Sequence, residues 1–590
     1  MVHDVIWSFP GASLGVHINL QCIPSVMKVV IVGGVAGGAS AAARLRRLDE
    51  DAEIIILERT GFVSYANCGL PYYVGGTIQS DSKLTLQSPE SFRRRFNIDA
   101  RVLNEVISID REAKTVHVRR LEDGSEYDES YDRLILSPGA RAVVPELTAL
   151  GDPNVMTLRT VEDAKAMRSA VSGGNVRRAV VAGGGYIGLE VAENLMDMGV
   201  EVTIVQRPNQ VMAPLDPEMA ADLHNHLRSK GVRLFLGATL KDVVRDEDLV
   251  TYLADGWIIH SDLVVIALGV SPDSGLAAST GLKTGMKGSI IVDDHMRTSD
   301  PDIYAVGDAV QVVNSVTGED ALIALAGPAN RQGRIAADNI CGIPSTYIGS
   351  QGSSVIKVFD MTAASTGINE KTAKRAGIPY DKVYLYSASH ANYYPGARNM
   401  SVKVLFSTDD GRILGAQMVG YEGVDKRIDV LATAIRAGMT SDDLEELDLA
   451  YAPPYSSAKD PVNMVGFVIG NVRSGLVRQF FWDELDDAVS DPGVTVVDLR
   501  TDREYNESHL EGVLHIPLDD LRSRMDEIDR SKPVYLFCHS GLRSYIGYRI
   551  LVQNGFDCRH LAGGFRLYSS VVKDRCVGSP DDYPCGIQGF

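Results

Sequence analysis

Short β-branched runs that stop at glycine-rich turns organise this chain. Lys28–Val32 is apolar at every position after its lysine, as expected of a strand covered on both faces. A glycine turn follows, then an alanine-rich stretch that predicts a helix over Ser40–Leu48, then a second apolar run, Glu53–Leu57. The order strand, turn, helix, strand is a βαβ unit. It returns as Arg178–Ala182, a helix through Met198, and Glu201–Val205. Beyond about residue 350 the pattern becomes alternating strands (Ser354–Phe359, Met400–Phe406, Arg412–Val419) and one helix over Asp425–Ala437, which predicts an α+β module. Short βα units resume near Asp483 and run to Phe590.

A chain of 590 residues exceeds what one hydrophobic core supports, so several domains are expected. The formal net charge of −19 argues against nucleic acid as a general partner, because nothing offsets phosphate repulsion. The seven cysteines show neither CxxC nor zinc-type spacing. No metal site is therefore expected, and the thiols read as reduced, in a cytoplasmic setting. No apolar run approaches the roughly 18 residues of a membrane span. Residues 1–26 lack the basic start, apolar centre and small-residue cleavage site of a signal peptide. They read as a disordered extension ahead of a fold that begins at Met27.

The two glycine turns carry the first chemistry. Gly33, Gly34, Ala36, Gly37 and Gly38 lie between a strand and a helix, where a helix N-terminus faces a pyrophosphate. Val35 stands where the usual pattern has its middle glycine. Glu58, at the end of the second strand, suits both ribose hydroxyls, and Arg59 suits the adenine. The second turn, Gly183, Gly184, Gly185, Tyr186, Ile187 and Gly188, matches the full pattern, with Glu190 following in the helix. Its second strand ends in Gln206 and Arg207 rather than an acid, so NADH and NADPH both remain open as donor: an acid would repel a 2′-phosphate, whereas Arg207 is able to pair with one.

Two further stretches extend the pattern. Tyr131–Gly139 resembles the crossover between the flavin and nicotinamide domains of disulfide-reductase-type flavoproteins. Thr298–Asp308 resembles their second flavin signature, and by that resemblance Asp308 holds the ribitol chain of FAD. Those enzymes carry two cysteines four residues apart, whereas Ser64–Tyr72 has only Cys68. A single thiol against a flavin must alternate between thiolate and a mixed disulfide, a persulfide or a sulfenic acid. With Leu215–Met219, Leu325–Gly333, His390–Ala397 and Tyr451–Asp460, the chain resembles the coenzyme A disulfide reductases, in particular their rhodanese-fused subgroup of CoA-dependent persulfide and polysulfide reductases.

The resemblance implies that Cys68 is the redox nucleophile. It implies that Ser40, Arg44, Arg47, Ser64, Asn67, Asn330 and Lys459 line a coenzyme A site, and that Tyr393 and Tyr451 reach the sulfur from the partner subunit of a homodimer. Ser137, Gly139, Gly269, Ala326, Pro328 and Ala329 join the cofactor shell. Arg44 and Arg47 are three apart on one helical face, and guanidinium groups suit phosphates. Arg93, Arg94 and Arg95 read as a solvated face.

Near the C-terminus a strand, Val534–Phe537, ends at Cys538, with Arg543 in the loop and helix beyond. Successive backbone N–H groups in such a loop face the sulfur and stabilise a persulfide anion. The segment resembles a single-domain rhodanese. Four residues separate Cys538 from Arg543, one fewer than in related phosphatases, which favours sulfur transfer over phosphate hydrolysis.

The fold expected is therefore α/β. It has two Rossmann-like dinucleotide-binding domains of the FAD/NAD-linked disulfide reductase type, an FAD domain over residues 27–145 and 270–350 and an NAD(P)H domain over 146–269. A dimerisation domain over 351–475 and a rhodanese domain over 480–590 complete it. The function expected is reduction of small sulfur substrates by NADH or NADPH through FAD, with coenzyme A as substrate or bound ligand. An NADH oxidase or peroxidase cycling a sulfenic acid is the alternative enzyme, although Ala36 stands where the peroxidase resemblance places a histidine. A thiol redox sensor is the alternative of another class.

Overall fold

The computed structural model describes residues 26–576. The extension expected over residues 1–26 lies, but for Val26, outside them, as do Cys22 and Cys585. No helix among the described residues is long and apolar enough to cross a membrane.

The first sheet is parallel, in the order Ile303–Ala305, Arg133–Leu136, Lys28–Val32, Glu53–Leu57, Asp99–Arg101. Its centre is Lys28–Val32, whose Val32 lies level with Leu57 on one side and Leu136 on the other. Val29, Val30 and Ile31 are fully buried, each contributing roughly 1.5–3 kcal/mol of transfer free energy. The edge strand Ile303–Ala305 comes from far down the chain. The sheet is thus closed after a second parallel sheet has intervened, ordered Arg233–Leu236, Glu201–Gln206, Arg178–Ala182, Leu263–Ile266, Val155–Met156. One nucleotide-type unit is inserted into another.

The first helix spans Ala36–Leu48, starting at Ala36 rather than Ser40. Gly37 and Gly38 have low helix propensity and read as loop, yet they form the first turn because the strand lies so close. A Cβ on Gly38 would sit 1.9 Å from Gly33 O. Gly188 repeats the contact on Gly183 O at the same distance. The helix Ala326–Ile340 crosses Ala36–Leu48 closely enough that a Cβ on Gly333 would lie 2.3 Å from Gly37 O.

The third sheet is antiparallel: Ser354–Val358, Met361–Gly367, Ile413–Gly420, Asn399–Ser407, Tyr380–Ala388. The helix Val424–Ala437 covers it. A fourth, parallel sheet forms the C-terminal module, ordered Gln479–Phe480, Cys558–Leu561, Val534–Phe537, Thr495–Asp498, Leu514–His515. Its last helix, Gly564–Arg575, packs along Pro217–Ser229 of the second unit.

A buried ionic cluster joins the second and third units. Asp216, Glu218 and Glu370, placed as three metal ligands would be, close instead on the fully buried Lys403. The ammonium lies 2.7 Å from Asp216 and 2.5 Å from Glu370. Burial alone would neutralise this lysine, but the three carboxylates outweigh it and hold its pKa above the usual lysine value.

Candidate active site

The two glycine turns have matching geometry. Gly34 N donates to Glu58 Oε2 at 2.9 Å, and Gly184 N donates to Gln206 Oε1 at 2.9 Å. Glu58 is buried and also receives Thr60 N at 2.9 Å through its other oxygen. Both turn helices begin without a side-chain cap and without an acid in the first turn, so their N-terminal amides and positive dipole ends suit a phosphate group. At Gly185 a Cβ would meet nothing within 4 Å, which leaves open space beside the second turn. These features fit an FAD at the first turn and a pyridine nucleotide at the second. Ser137 and Ala329 border Gly37, whose Cβ would lie 2.9 Å from Ser137 Oγ. Ala326 and Pro328 open the crossing helix beside them, and Gly139 and Gly269 take the left-handed φ of 73° and 102°. Arg59, assigned to adenine, pairs with Asp273 at 2.8 Å, and Arg207 is exposed.

Cys68 lies on a short 3₁₀ turn, Asn67–Gly69, ahead of the helix Leu70–Val74. Although the residue is exposed, surrounding protein desolvates its thiolate and raises its pKa, and Glu190 and Asp308 raise it further. Arg159 acts in the opposite sense. This arginine is a hub: it donates to Asp308 at 3.1 Å and to Ala140 O at 3.0 Å, and it exchanges two hydrogen bonds with the Asn67 amide. Glu190 reaches the same place from the second turn helix, 3.4 Å from Tyr72 Oη. Burial pushes its pKa up to about 7.

Ser64, on the segment that leads to this turn, lines a cavity of about 380 Å³. It brings together Ser40, Arg44, Arg47, Ser64 and Asn330, and adds Gln87, Phe92, Phe96 and Arg334. Ser40 Oγ donates to Asn330 Oδ1 at 2.7 Å. Ser64 holds a left-handed φ of 50°, rare for a residue with a side chain, and its N–H donates to Gly34 O at 2.7 Å, tying the cavity to the first turn. Arg44 is partly engaged, with its Nε 2.6 Å from the buried Asp338. The Asn67 amide lies against Arg159, and Lys459 is exposed on the third unit. Arg93, Arg94 and Arg95 are exposed, as expected of a solvated face.

Tyr393 and Tyr451 are exposed and share a hydrogen bond of 2.6 Å between hydroxyls. Tyr451 also lines a cavity of about 560 Å³ with His390 and Lys426.

In the C-terminal module, Cys538 is buried at the end of its strand. Gly541 N donates to its sulfur at 3.2 Å, and Ser544 Oγ lies 3.5 Å away. Gly541 takes φ 103°, a turn open to glycine, which aims its N–H inward. Arg543 faces Glu504, with two contacts of 2.6 Å that hold the carboxyl down to about 2. Sequence reasoning did not foresee this pairing.

Residues 27–333 match the pyridine nucleotide-disulphide oxidoreductase model. The chain belongs to that family. The dimerisation domain of the same family matches residues 353–461, and a rhodanese-like domain matches 481–570. Coenzyme A disulfide reductase of Staphylococcus aureus is 36% identical over 443 residues, 75% of this chain and 99% of the relative. Among solved structures, the reduced Bacillus anthracis CoADR-RHD has 46% identity and a TM-score of 0.91, covering 93% of this chain and 99% of its own. The NAD-dependent persulfide reductase from A. fulgidus has 41% identity and a TM-score of 0.87, covering 92% and 100%. The protein is an FAD- and NAD(P)H-dependent oxidoreductase of this family.

Arg159, Arg334 and Gln87 escaped sequence reasoning. Thr160 and Asp163 form a capping box that announces the helix Val161–Ser172. Arg159 immediately precedes that cap, but nothing in its spacing marks the partners it finds. Arg334 follows Asn330 by one helical turn, the one available signal that both face the same way.

Proposed function

We propose that this protein is an NAD(P)H-dependent reductase of coenzyme A persulfides, polysulfides and disulfides, with sulfane sulfur handled at a second thiol, Cys538. The observation that carries the reading is Cys68. It is a lone thiol on which Asp308 from the first unit and Glu190 from the second both act, and the segment leading to it places Ser64 in the wall of a cavity that also carries Arg44, Arg47 and Arg334.

Arg47 and Arg334 serve the phosphates of coenzyme A, and Ser40 and Asn330 its polar groups. Phe92 and Phe96 offer apolar wall. The Cys68 thiolate attacks the coenzyme A sulfur of a persulfide, forming a Cys68–CoA disulfide as hydrosulfide departs. With coenzyme A disulfide the leaving group is a coenzyme A thiolate. The first turn, Glu58 and Asp308 would hold FAD, which when bound would supply the two electrons from NAD(P)H that break the Cys68–CoA S–S bond and release a coenzyme A thiolate and the Cys68 thiolate. Arg159 counters the carboxylates around that anion.

The dimerisation module supports a homodimer in which Tyr393 and Tyr451 face the partner's thiol and donate to the departing sulfur. Free thiols at Cys68, Cys341, Cys538, Cys558 and Cys576 suit a reducing, cytoplasmic setting. The relatives that match over more than nine-tenths of the chain favour this reading over a peroxide-cleaving enzyme or a sensor.

The test is Cys68→Ser. NAD(P)H-dependent persulfide reduction is expected to vanish while FAD stays bound, because serine keeps the shape but is a far poorer nucleophile. Turnover retained with coenzyme A persulfide would overturn the role. Mass spectrometry of the native protein without reductant then shows whether coenzyme A is attached at Cys68.

A further inference from the structure

The helix Pro217–Ser229 lies between the second glycine turn and the rhodanese-like domain, and His224 within it touches both. This imidazole is 1% exposed. Its Nε2 accepts Val211 N–H at 3.0 Å, and its Nδ1 lies 2.8 Å from Asp574 Oδ2 on the last helix. The pair of contacts sets the tautomer. Nε2 must be bare to accept, so Nδ1 carries the hydrogen and donates to Asp574. Arg228 Nη1 holds the other oxygen of Asp574 at 2.5 Å.

Val211 packs directly against the second turn. Its side chain fills the space beneath Gly184, where a Cβ would lie 2.7 Å from Val211 Cγ1. The next residue, Met212, takes a left-handed φ of 51° and donates its N–H to Gly184 O at 2.9 Å. Gln206, which holds the Gly184 amide, also donates to Gln210 O at 3.0 Å. The loop framing the glycine turn thus contains a backbone conformation of high energy, and one of its anchors is the ring of His224.

We propose that His224 is a positioning residue for pyridine-nucleotide binding and that the rhodanese-like domain sets it through Asp574. This rests on reading the second turn as the pyridine-nucleotide site. Without a side-chain acceptor at 574, the Nδ1 hydrogen loses its buried partner and the ring no longer keeps Nε2 on Val211. The loop relaxes away from Gly184, and the nucleotide meets a site it must first reorder. The cost falls on affinity, because no atom of this relay reaches the reacting sulfur or the nicotinamide.

The experiment uses full-length holoenzyme and anaerobic stopped-flow reduction of the flavin by NADH and by NADPH, which separates the dissociation constant from the limiting rate. Asp574→Ala is expected to weaken nucleotide binding about five- to tenfold, the scale of one ordinary hydrogen bond. The limiting rate should stay within twofold, and sulfur transfer from thiosulfate should be unchanged. Asp574→Asn keeps an acceptor for Nδ1–H and should bind within twofold of the parent. Ser570→Ala breaks the 2.6 Å bond to Asp222 at the same interface without touching the relay, and should change nothing. Unchanged affinity in Asp574→Ala, or an equal loss in Ser570→Ala, overturns the proposal. If Asp574→Ala yields no folded flavoprotein, Asp574→Ser decides by the same readout. Gly185→Val tests the underlying reading separately: it projects a side chain into the open space by the turn and should block the nucleotide. Parental affinity there would overturn the site assignment itself, whatever Asp574 does.

Discussion

The amide of Gly184 donates to the side-chain oxygen of Gln206 at 2.9 Å, the same bond that Gly34 makes to Glu58 in the first unit. Gln206 keeps the geometry of an acid without its charge. A 2′-phosphate near this position meets no repulsion, and the exposed Arg207 stands next to it. Gln206→Glu should therefore preserve use of NADH and lower kcat/KM for NADPH by about tenfold or more. Parallel steady-state assays with the two donors measure it, and an unchanged ratio would remove Gln206 from donor selection.

Burial is the main influence that raises the pKa of Cys68, and Glu190, on the second turn helix, raises it further. Its carboxyl titrates near 7, so above that pH it is negative and opposes formation of the Cys68 thiolate. Glu190→Gln deletes the charge, and the thiol should ionise at lower pH than in the parent. The rate of iodoacetamide alkylation of the reduced enzyme, followed against pH, reads this directly. The parent profile should also bend near pH 7, as Glu190 loses its proton, and the variant profile should not. A shift toward higher pH would contradict the assignment.

What the sequence disclosed and what it hid divide along physical lines. Lys28–Val32, Glu53–Leu57 and Arg178–Ala182 were legible to the residue, because a strand buried on both faces admits only apolar side chains. The glycine turns were legible because their conformations exclude other residues. The start of the first helix was misplaced, since Gly37 and Gly38 serve close packing against propensity. Arg44 belongs to the expected cavity, but its pairing with Asp338 joins positions far apart in the chain. The ion pair between Arg59 and Asp273 likewise joins positions far apart in the chain. The contact between His224 and Asp574 was invisible for the same reason. Local pattern encodes elements; it does not encode which polar groups meet when elements dock.

Lys403 provides a stability test. Replacing it with methionine leaves Asp216 and Glu218 buried without their cation and Glu370 with Lys382 alone, a change expected to cost about 3–5 kcal/mol. Chemical denaturation of the two proteins at neutral pH measures the difference. The pH dependence has a definite sign. Burial works against the Glu370 carboxylate, but Lys403 and Lys382 outweigh it and hold its pKa at about 2. Its contribution is present above the unfolded value of about 4.3 and is lost as pH falls toward 2. The variant should therefore lose less stability than the parent between pH 5 and pH 2.

Cys538→Ala should separate the two thiol chemistries. Cys538 is buried in its own sheet-and-helix module, with Gly541 N–H and Ser544 directed at the sulfur, and none of the groups around Cys68 takes part in that arrangement. Sulfur transfer from thiosulfate should therefore disappear in the variant. Reduction of coenzyme A persulfide supplied in solution should persist within about twofold, since Cys68 and its cavity are untouched. Substrates that must first be loaded onto Cys538 should slow far more, because transfer between linked domains gives way to diffusional encounter. Assays with coenzyme A persulfide and with bulk polysulfide, run side by side at equal FAD content, distinguish these cases. If both rates fall to zero together, the two thiols form one obligatory relay and the modules are not separable. If polysulfide reduction is as fast as in the parent, Cys538 does not feed the reductase, and the fusion of the rhodanese-like domain needs another explanation.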